Sequence, residues 1–188
     1  MAKKKIICVV GRTATGKTSL ARAVCNKLGI KIVKSYTTRP IRPKEIENHE
    51  RSDHYFITDE DVDTYRDDIA AYTEINGYKY FTTKQVLNES DVYVIDPLGI
   101  KELKRRCGDE YQIITVYIRV DHSTGKRRAM QRGESIDDYY ERYKSENEQF
   151  SNFEKEMSWD YHILNIGTFE DAANTMEKII RKELNMYD

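Results

Sequence analysis

A β-branched run, Ile6-Ile7-Cys8-Val9-Val10, leads directly into Gly11-Arg12-Thr13-Ala14-Thr15-Gly16-Lys17-Thr18, and this junction constrains the chain more than any other stretch. The run has the composition of a buried strand. From Ser19 to Leu28, the apolar residues Leu20, Ala21, Val24 and Leu28 recur at helical spacing. Strand, glycine loop and helix in this order open a parallel α/β sheet. The loop reads G-x-x-x-x-G-K-T, and its chemistry explains the spacing. Glycines let the backbone wrap an anion with successive N–H groups turned inward. The following helix adds its positive dipole end. Lys17 reaches β- and γ-phosphates, and the Thr18 hydroxyl suits Mg²⁺. Residues Gly11 to Thr18 are thus the expected triphosphate site.

The remaining pattern extends the sheet. Ile30–Val33 reads as a short strand, and Pro40 and Pro43 favour extended or turning backbone after it. Lys44–Asp53 reads as an exposed polar loop, His54–Thr58 as a strand and Asp59–Arg66 as a short helix. Ala70–Thr73 and Lys79–Thr82 flank Ile75-Asn76-Gly77-Tyr78, a hairpin signal. Strands over Val92–Asp96, Ile113–Ile118 and Tyr161–Leu164 alternate with helices over Ile100–Cys107, Ser123–Gln131, Ile136–Asn152 and Phe169–Leu184. The alternation predicts a parallel sheet covered on both faces, with ligands at the carboxyl ends of its strands.

The bulk properties exclude several classes. A chain of 188 residues suits one α/β domain. A net charge of −1 does not fit a general nucleic-acid binder, and Lys3-Lys4-Lys5 reads as a solvated terminus. No apolar stretch has membrane-spanning length, and the first strand starts without a signal-peptide layout. Cys8, Cys25 and Cys107 are scattered without metal-ligand spacing, which points to a reducing cytoplasm, and the four histidines form no cluster.

GTPases, motors, transporter subunits and small-molecule kinases all use such a loop; the other residues narrow the choice. Asp96 ends a strand after Val94-Ile95, where a Mg²⁺-associated carboxylate belongs, although such an Asp is also a common turn residue. Arg128, Arg132 and Arg142 fall on two helices around Gly133, as in a lid that brings guanidinium groups to phosphate and excludes water. Arg127 reads as solvated. Thr38-Arg39-Pro40-Ile41-Arg42 places two arginines on a proline-stiffened segment, a second anion site. One phosphate site for a donor and one for an acceptor is the minimum equipment of a nucleotide kinase.

The chain resembles guanylate kinases over nearly its whole length. The Gly11–Thr18 loop, Ser35-Tyr36-Thr37-Thr38-Arg39-Pro40-Ile41-Arg42, Asp53-His54-Tyr55-Phe56, Gly77-Tyr78-Lys79-Tyr80-Phe81-Thr82, Ile95-Asp96-Pro97-Leu98-Gly99, Arg128 through Arg132-Gly133 and Asp160-Tyr161…Asn165 occur in the family's order. The resemblance implies a P-loop kinase core with a parallel sheet flanked by helices. This core (about 1–34, 84–122 and 155–188) would carry a small nucleoside-monophosphate-binding β subdomain (about 35–83) and a helical lid (about 123–154). It implies phosphoryl transfer from ATP to GMP or dGMP with Mg²⁺, in a monomer or homodimer without nucleic-acid or membrane partners. By the same resemblance, Gly11 to Thr18 hold ATP, with Asn165 near its adenine, and Thr18 and Asp96 serve the metal. Lys17, Arg128, Arg132, Arg142 and Asp96 are the expected catalytic set. Arg39 and Arg42, helped by Tyr80, bind the acceptor phosphate. Ser35 and Thr82 contact the base.

The departures lie on the acceptor side. The family's base-reading glutamate falls at Ala71, and a second acidic position at Val94. Loss of both removes the acceptors that pair with guanine's donors. Glu74 lies near Ala71 in sequence, but strand alternation puts it on the other face unless a bulge intervenes. His54 stands at a phosphate-binding tyrosine position, with Tyr55 beside it. Phe81 replaces a hairpin glycine, either as packing or as a surface for a base to stack on. The donor half matches the family and the base-reading half is rebuilt. A different nucleoside monophosphate is therefore the alternative acceptor, and an inactive binding module is the third reading.

Overall fold

The computed structural model describes residues 3–41, 43–46, 52–75, 77–156 and 158–186. In chain order the elements are β1 (Lys4–Val10), α1 (Lys17–Leu28), β2 (Ser35–Thr37), α2 (Pro43–Ile46), β3 (His54–Phe56), a 3₁₀ helix (Glu60–Asp68), β4 (Ile69–Ile75), β5 (Tyr78–Thr83), α3 (Lys84–Asn88), β6 (Val92–Val94), α4 (Pro97–Cys107), β7 (Tyr111–Arg119), α5 (His122–Gln131), α6 (Ile136–Glu156), β8 (Tyr161–Leu164) and α7 (Phe169–Glu183).

β1 is buried on both faces, as its unbroken apolar run requires. Ile7 and Val9 pack with Leu20 and Val24 of α1 and Met176 and Ile180 of α7. Ile6, Cys8 and Val10 face the opposite layer, with Ile100 and Leu103 of α4. The main sheet has the order β6-β1-β7-β8 and is parallel throughout. Val9 pairs with Val94 on one side and Val116 on the other. The glycine loop after β1 and Asp96 after β6 therefore leave the sheet at the same end. Burial pushes the Cys8 and Cys25 thiols up to about 12, so both act as core residues.

β3, β2, β5 and β4, in that order, form a second sheet. Its hairpin is regular from Ala71↔Thr82 to Ile75↔Tyr78, and the one register shift lies between Ile69 and Ala71. Phe81 is buried and stacks on Tyr36 at 5.1 Å, with Tyr65 at 5.7 Å. It is a packing residue on the face away from Tyr80 and Thr82, not a surface for a base.

Several elements differ from the sequence reading for local reasons. Ile30–Val33 makes a single bridge, Ile32 to Val92, instead of a full strand. Pro43 opens a helical turn, because a missing N–H is harmless at a first helical position. The expected loop from Lys44 to Asp53 is thus partly helical, and residues 47–51 lie outside the described residues, as does Asn76 of the hairpin turn. The segment after Arg66 stays in a 3₁₀ helix to Asp68. α3 has a start signal in Thr83, whose hydroxyl accepts the Val86 N–H at 3.2 Å. α4 starts at Pro97, with Asp96 as its N-cap.

The loop itself needs its glycines. A Cβ at Gly11 would meet the Ile118 carbonyl oxygen at 2.6 Å, and Gly16 has a φ of +84°. Ala14 also lies in the left-handed region, at φ 58°. That conformation costs alanine ~1–2 kcal/mol, while glycine loses ~0.4–1 kcal/mol more chain entropy on folding. Ala14→Gly is thus expected to stabilise the fold by about 0.5–1 kcal/mol, read as a rise in thermal midpoint; a fall would contradict the strain.

Candidate active site

A cavity of about 770 Å³ opens where the ends of β1 and β6 face the second sheet. Gly11, Thr13 and Lys17 line it from the loop, and Val94 and Asp96 from the end of β6. Ser35, His54, Ala71 and Tyr80 form the subdomain wall, and Arg142, Glu146 and Gln149 reach in from α6.

The loop is braced from behind. Asn165, buried after β8, donates its side-chain amide to the Thr15 carbonyl at 2.9 Å, and the Thr15 hydroxyl donates to the Arg12 carbonyl at 2.8 Å. A Cβ at Gly16 would come within 2.9 Å of the Asn165 amide nitrogen. Thr18 follows in the first turn of α1. Lys17 donates to the Arg12 carbonyl at 3.3 Å. Burial depresses the Lys17 ammonium; Glu146 and Asp96 oppose the shift, and Arg132 and Arg142 add to it. A bound polyphosphate would favour the charged ammonium.

Asp96 caps α4 and also lines the cavity. Its Oδ1 accepts the Gly99 N–H at 2.9 Å as a helix cap. The same carboxylate faces the cavity, accepting the Gln149 amide and the Thr73 hydroxyl at 3.4 Å each. Burial raises its pKa, against the pull of the Gly99, Leu98 and Asp96 N–H groups and Thr73. Among the described residues no cluster of three or more His, Cys, Asp or Glu side chains could hold a metal. The oxygens of Thr18 and Asp96 fit a hard cation that takes its other ligands from phosphates and water.

α5 and α6, hinged at Gly133 with φ +88°, carry the arginines. Arg132 and Arg142 each donate to the Thr13 hydroxyl at 3.3 Å. Both also donate to Glu134 Oε1, at 3.0 and 2.8 Å. Arg128 donates one guanidinium nitrogen to Asn165 Oδ1 at 3.5 Å, and its Nη1 is buried without a hydrogen bond. Arg12 turns away from the loop's interior. It donates to Asn147 at 2.9 Å and Glu154 at 3.3 Å and lies 5.0 Å from the Phe150 ring. Glu146 accepts the Thr13 N–H at 2.6 Å. Sequence reasoning missed Glu134 and Glu146. Their signals were the position just after the Arg132-Gly133 break and the i+4 spacing from Arg142.

On the second-sheet side of the cavity, the Ser35 hydroxyl and His54 Nδ1 are 2.8 Å apart. Ala71 pairs with Thr82, so both lie on one face. The Thr82 hydroxyl is buried with no hydrogen-bond partner. Glu74 is exposed and, with regular pairing from Ala71 onward, lies on the opposite face. It does not replace the missing glutamate. Tyr55 alternates away from His54 and is exposed beside Lys34 and Tyr36, outside the cavity. Arg39 is buried and paired with both oxygens of Glu45 at 2.8 and 2.6 Å, with the Phe56 ring at 5.1 Å. An anion would reach it by displacing Glu45. Arg42 lies outside the described residues. No described helix is long and apolar enough to cross a membrane.

The fold has counterparts among known proteins. The family model for guanylate kinase matches residues 3–183. A guanylate kinase structure from Anaplasma phagocytophilum superposes with a TM-score of 0.67 at 22% identity, over 97% of this chain and 88% of that one. A structure of an uncharacterized protein from Eubacterium ventriosum gives a TM-score of 0.50 at 19% identity, over 94% of this chain and 98% of that one. No curated protein sequence matches. With 181 of its 188 residues inside the family model, the chain belongs to the guanylate kinase family.

Proposed function

We propose that the protein is an ATP-dependent nucleoside monophosphate kinase, with GMP or dGMP as the acceptor the family suggests. The observation that carries this reading is one cavity with two differently equipped walls. Lys17, Asp96 and Arg142 line one side, and Ser35, His54 and Tyr80 the other. Phosphoryl transfer needs positioning and charge neutralisation more than covalent chemistry. Loop N–H groups and Lys17 would hold the donor's phosphates. Arg132 and Arg142, already turned to Thr13, would neutralise charge on the group in transit, and Arg128 would lie beside the loop with Asn165. Arg39, Arg42 and Tyr80 would take the acceptor phosphate. Mg²⁺, held by Thr18, Asp96 and the phosphates, supplies charge stabilisation when bound. A lid laid over the loop keeps water from competing as acceptor.

A second acceptor is favoured by a specific observation: Ala71 and Val94 both line the cavity, and neither side chain can accept a hydrogen bond from guanine. The hydroxyls of Ser35 and Thr82 can serve a base with fewer donors equally well. Coupled ADP-release assays over ribo- and deoxynucleoside monophosphates separate the two. A preference for GMP or dGMP supports the first reading, and a preference for another base the second. Turnover with none of them, in a folded protein, would contradict the kinase reading.

Two variants test the assignments. Lys17→Ala is expected to lower turnover by at least about a hundredfold while the thermal midpoint stays close to wild type; retained turnover would contradict its role. Ala71→Glu is expected to raise kcat/KM for GMP about tenfold or more relative to other acceptors, and no gain would count against the base position assigned to residue 71.

A further inference from the structure

Glu146 lies one helical turn beyond Arg142 on α6, and both side chains reach the same loop. Its Oε2 accepts the Thr13 N–H at 2.6 Å, closer than either arginine approaches the Thr13 hydroxyl at 3.3 Å. Thr13 sits inside G-x-x-x-x-G-K-T, where the backbone N–H groups serve an anion. The cations facing Glu146 are Lys17, Arg142 and Arg12. Burial raises the Glu146 carboxyl's pKa, while the Thr13 N–H and these three cations pull the other way. The same helix is anchored to the loop from its other side, where Arg12 donates to Asn147 and Glu154. A backbone N–H, a lysine and a lid arginine form the surroundings that a terminal phosphate requires, and a carboxylate occupies them. Two anions at this spacing repel, and one N–H serves one acceptor well.

We propose that Glu146 is a resident anion of the phosphate loop. It takes the place of the donor's terminal phosphate in the nucleotide-free protein and keeps α6 laid on the loop. A triphosphate must expel it to bind. Glu146 thereby sets donor affinity and the discrimination between tri- and diphosphate. After transfer, the nucleoside diphosphate left behind has no terminal phosphate to hold the carboxylate off, so Glu146 returns to Thr13. This inference rests on the kinase reading in taking a nucleoside triphosphate as donor.

The test is calorimetric binding of MgATP and MgADP to the wild type, E146A and E146Q. E146A is expected to bind ATP about tenfold more tightly, the worth of one charged hydrogen bond, with ADP changed by less than about threefold. E146Q, nearly isosteric and uncharged, is expected to fall between wild type and E146A for ATP, and it guards against a folding defect in the alanine variant. No gain for ATP, a loss, or an equal gain for both nucleotides would overturn the resident anion. The kinase reading is scored separately by product formation. Wild-type turnover without any ATP gain in the variants sinks the inference alone. Tighter ATP binding by the variants without phosphate transfer to any nucleoside monophosphate supports the inference and contradicts the kinase reading. Absence of ATP binding by all three proteins overturns both.

Discussion

The structure depends on the concentration of backbone N–H groups at the end of β1 and the start of α1. A helix N-terminus leaves its first donors without intrahelical partners, and the glycine loop adds more. Such a concentration of donors and dipole is tolerable only beside an anion or water. The surrounding parts answer that need. Asn165 and Thr15 fix the loop's curvature from behind, Lys17 supplies charge from within, and Arg132 and Arg142 meet Thr13 from above. The Thr13 N–H is met by Glu146.

This focus is positioned by the rigid sheet. β1 is flanked on both sides by parallel partners and buried on both faces, so its end cannot move relative to Asp96 without breaking the core. The wall opposite the loop belongs to a second sheet, tied to the core through packing of Ala70 and Ala71 with the α4 side of the main sheet. α5 and α6 meet the loop through polar and charged contacts and through an apolar cluster of Ala14, Ala129 and Tyr139. A fixed donor platform with two differently attached walls suits a reaction that must admit two substrates and exclude water.

Much of this was legible in the sequence because it is periodic or chemically marked. The unbroken apolar run Ile6–Val10 marks a strand buried on both faces, and Tyr161–Leu164 forms the strand its pattern suggests. The hairpin around Gly77 and the break at Gly133 carry their own turn signals. Side-chain direction and partner choice were less legible. Arg12 belongs to the loop by sequence, yet points to α6. Arg39 is held by Glu45, six residues on, across a turn that no periodicity encodes. Tyr55 and Phe81 depend on which face of a strand they occupy, and that follows from pairing partners distant in the chain. Glu134 and Glu146 resemble any acidic residue on a solvated lid until the lid is placed on the loop.

The most direct measurement follows the terminal phosphate itself. The protein is incubated with Mg²⁺, ATP labelled in its γ-phosphate and a mixture of nucleoside monophosphates, and the labelled products are separated by chromatography. The account predicts that the label appears in a nucleoside diphosphate. Label that stays in ATP, or that leaves only as inorganic phosphate, would contradict it.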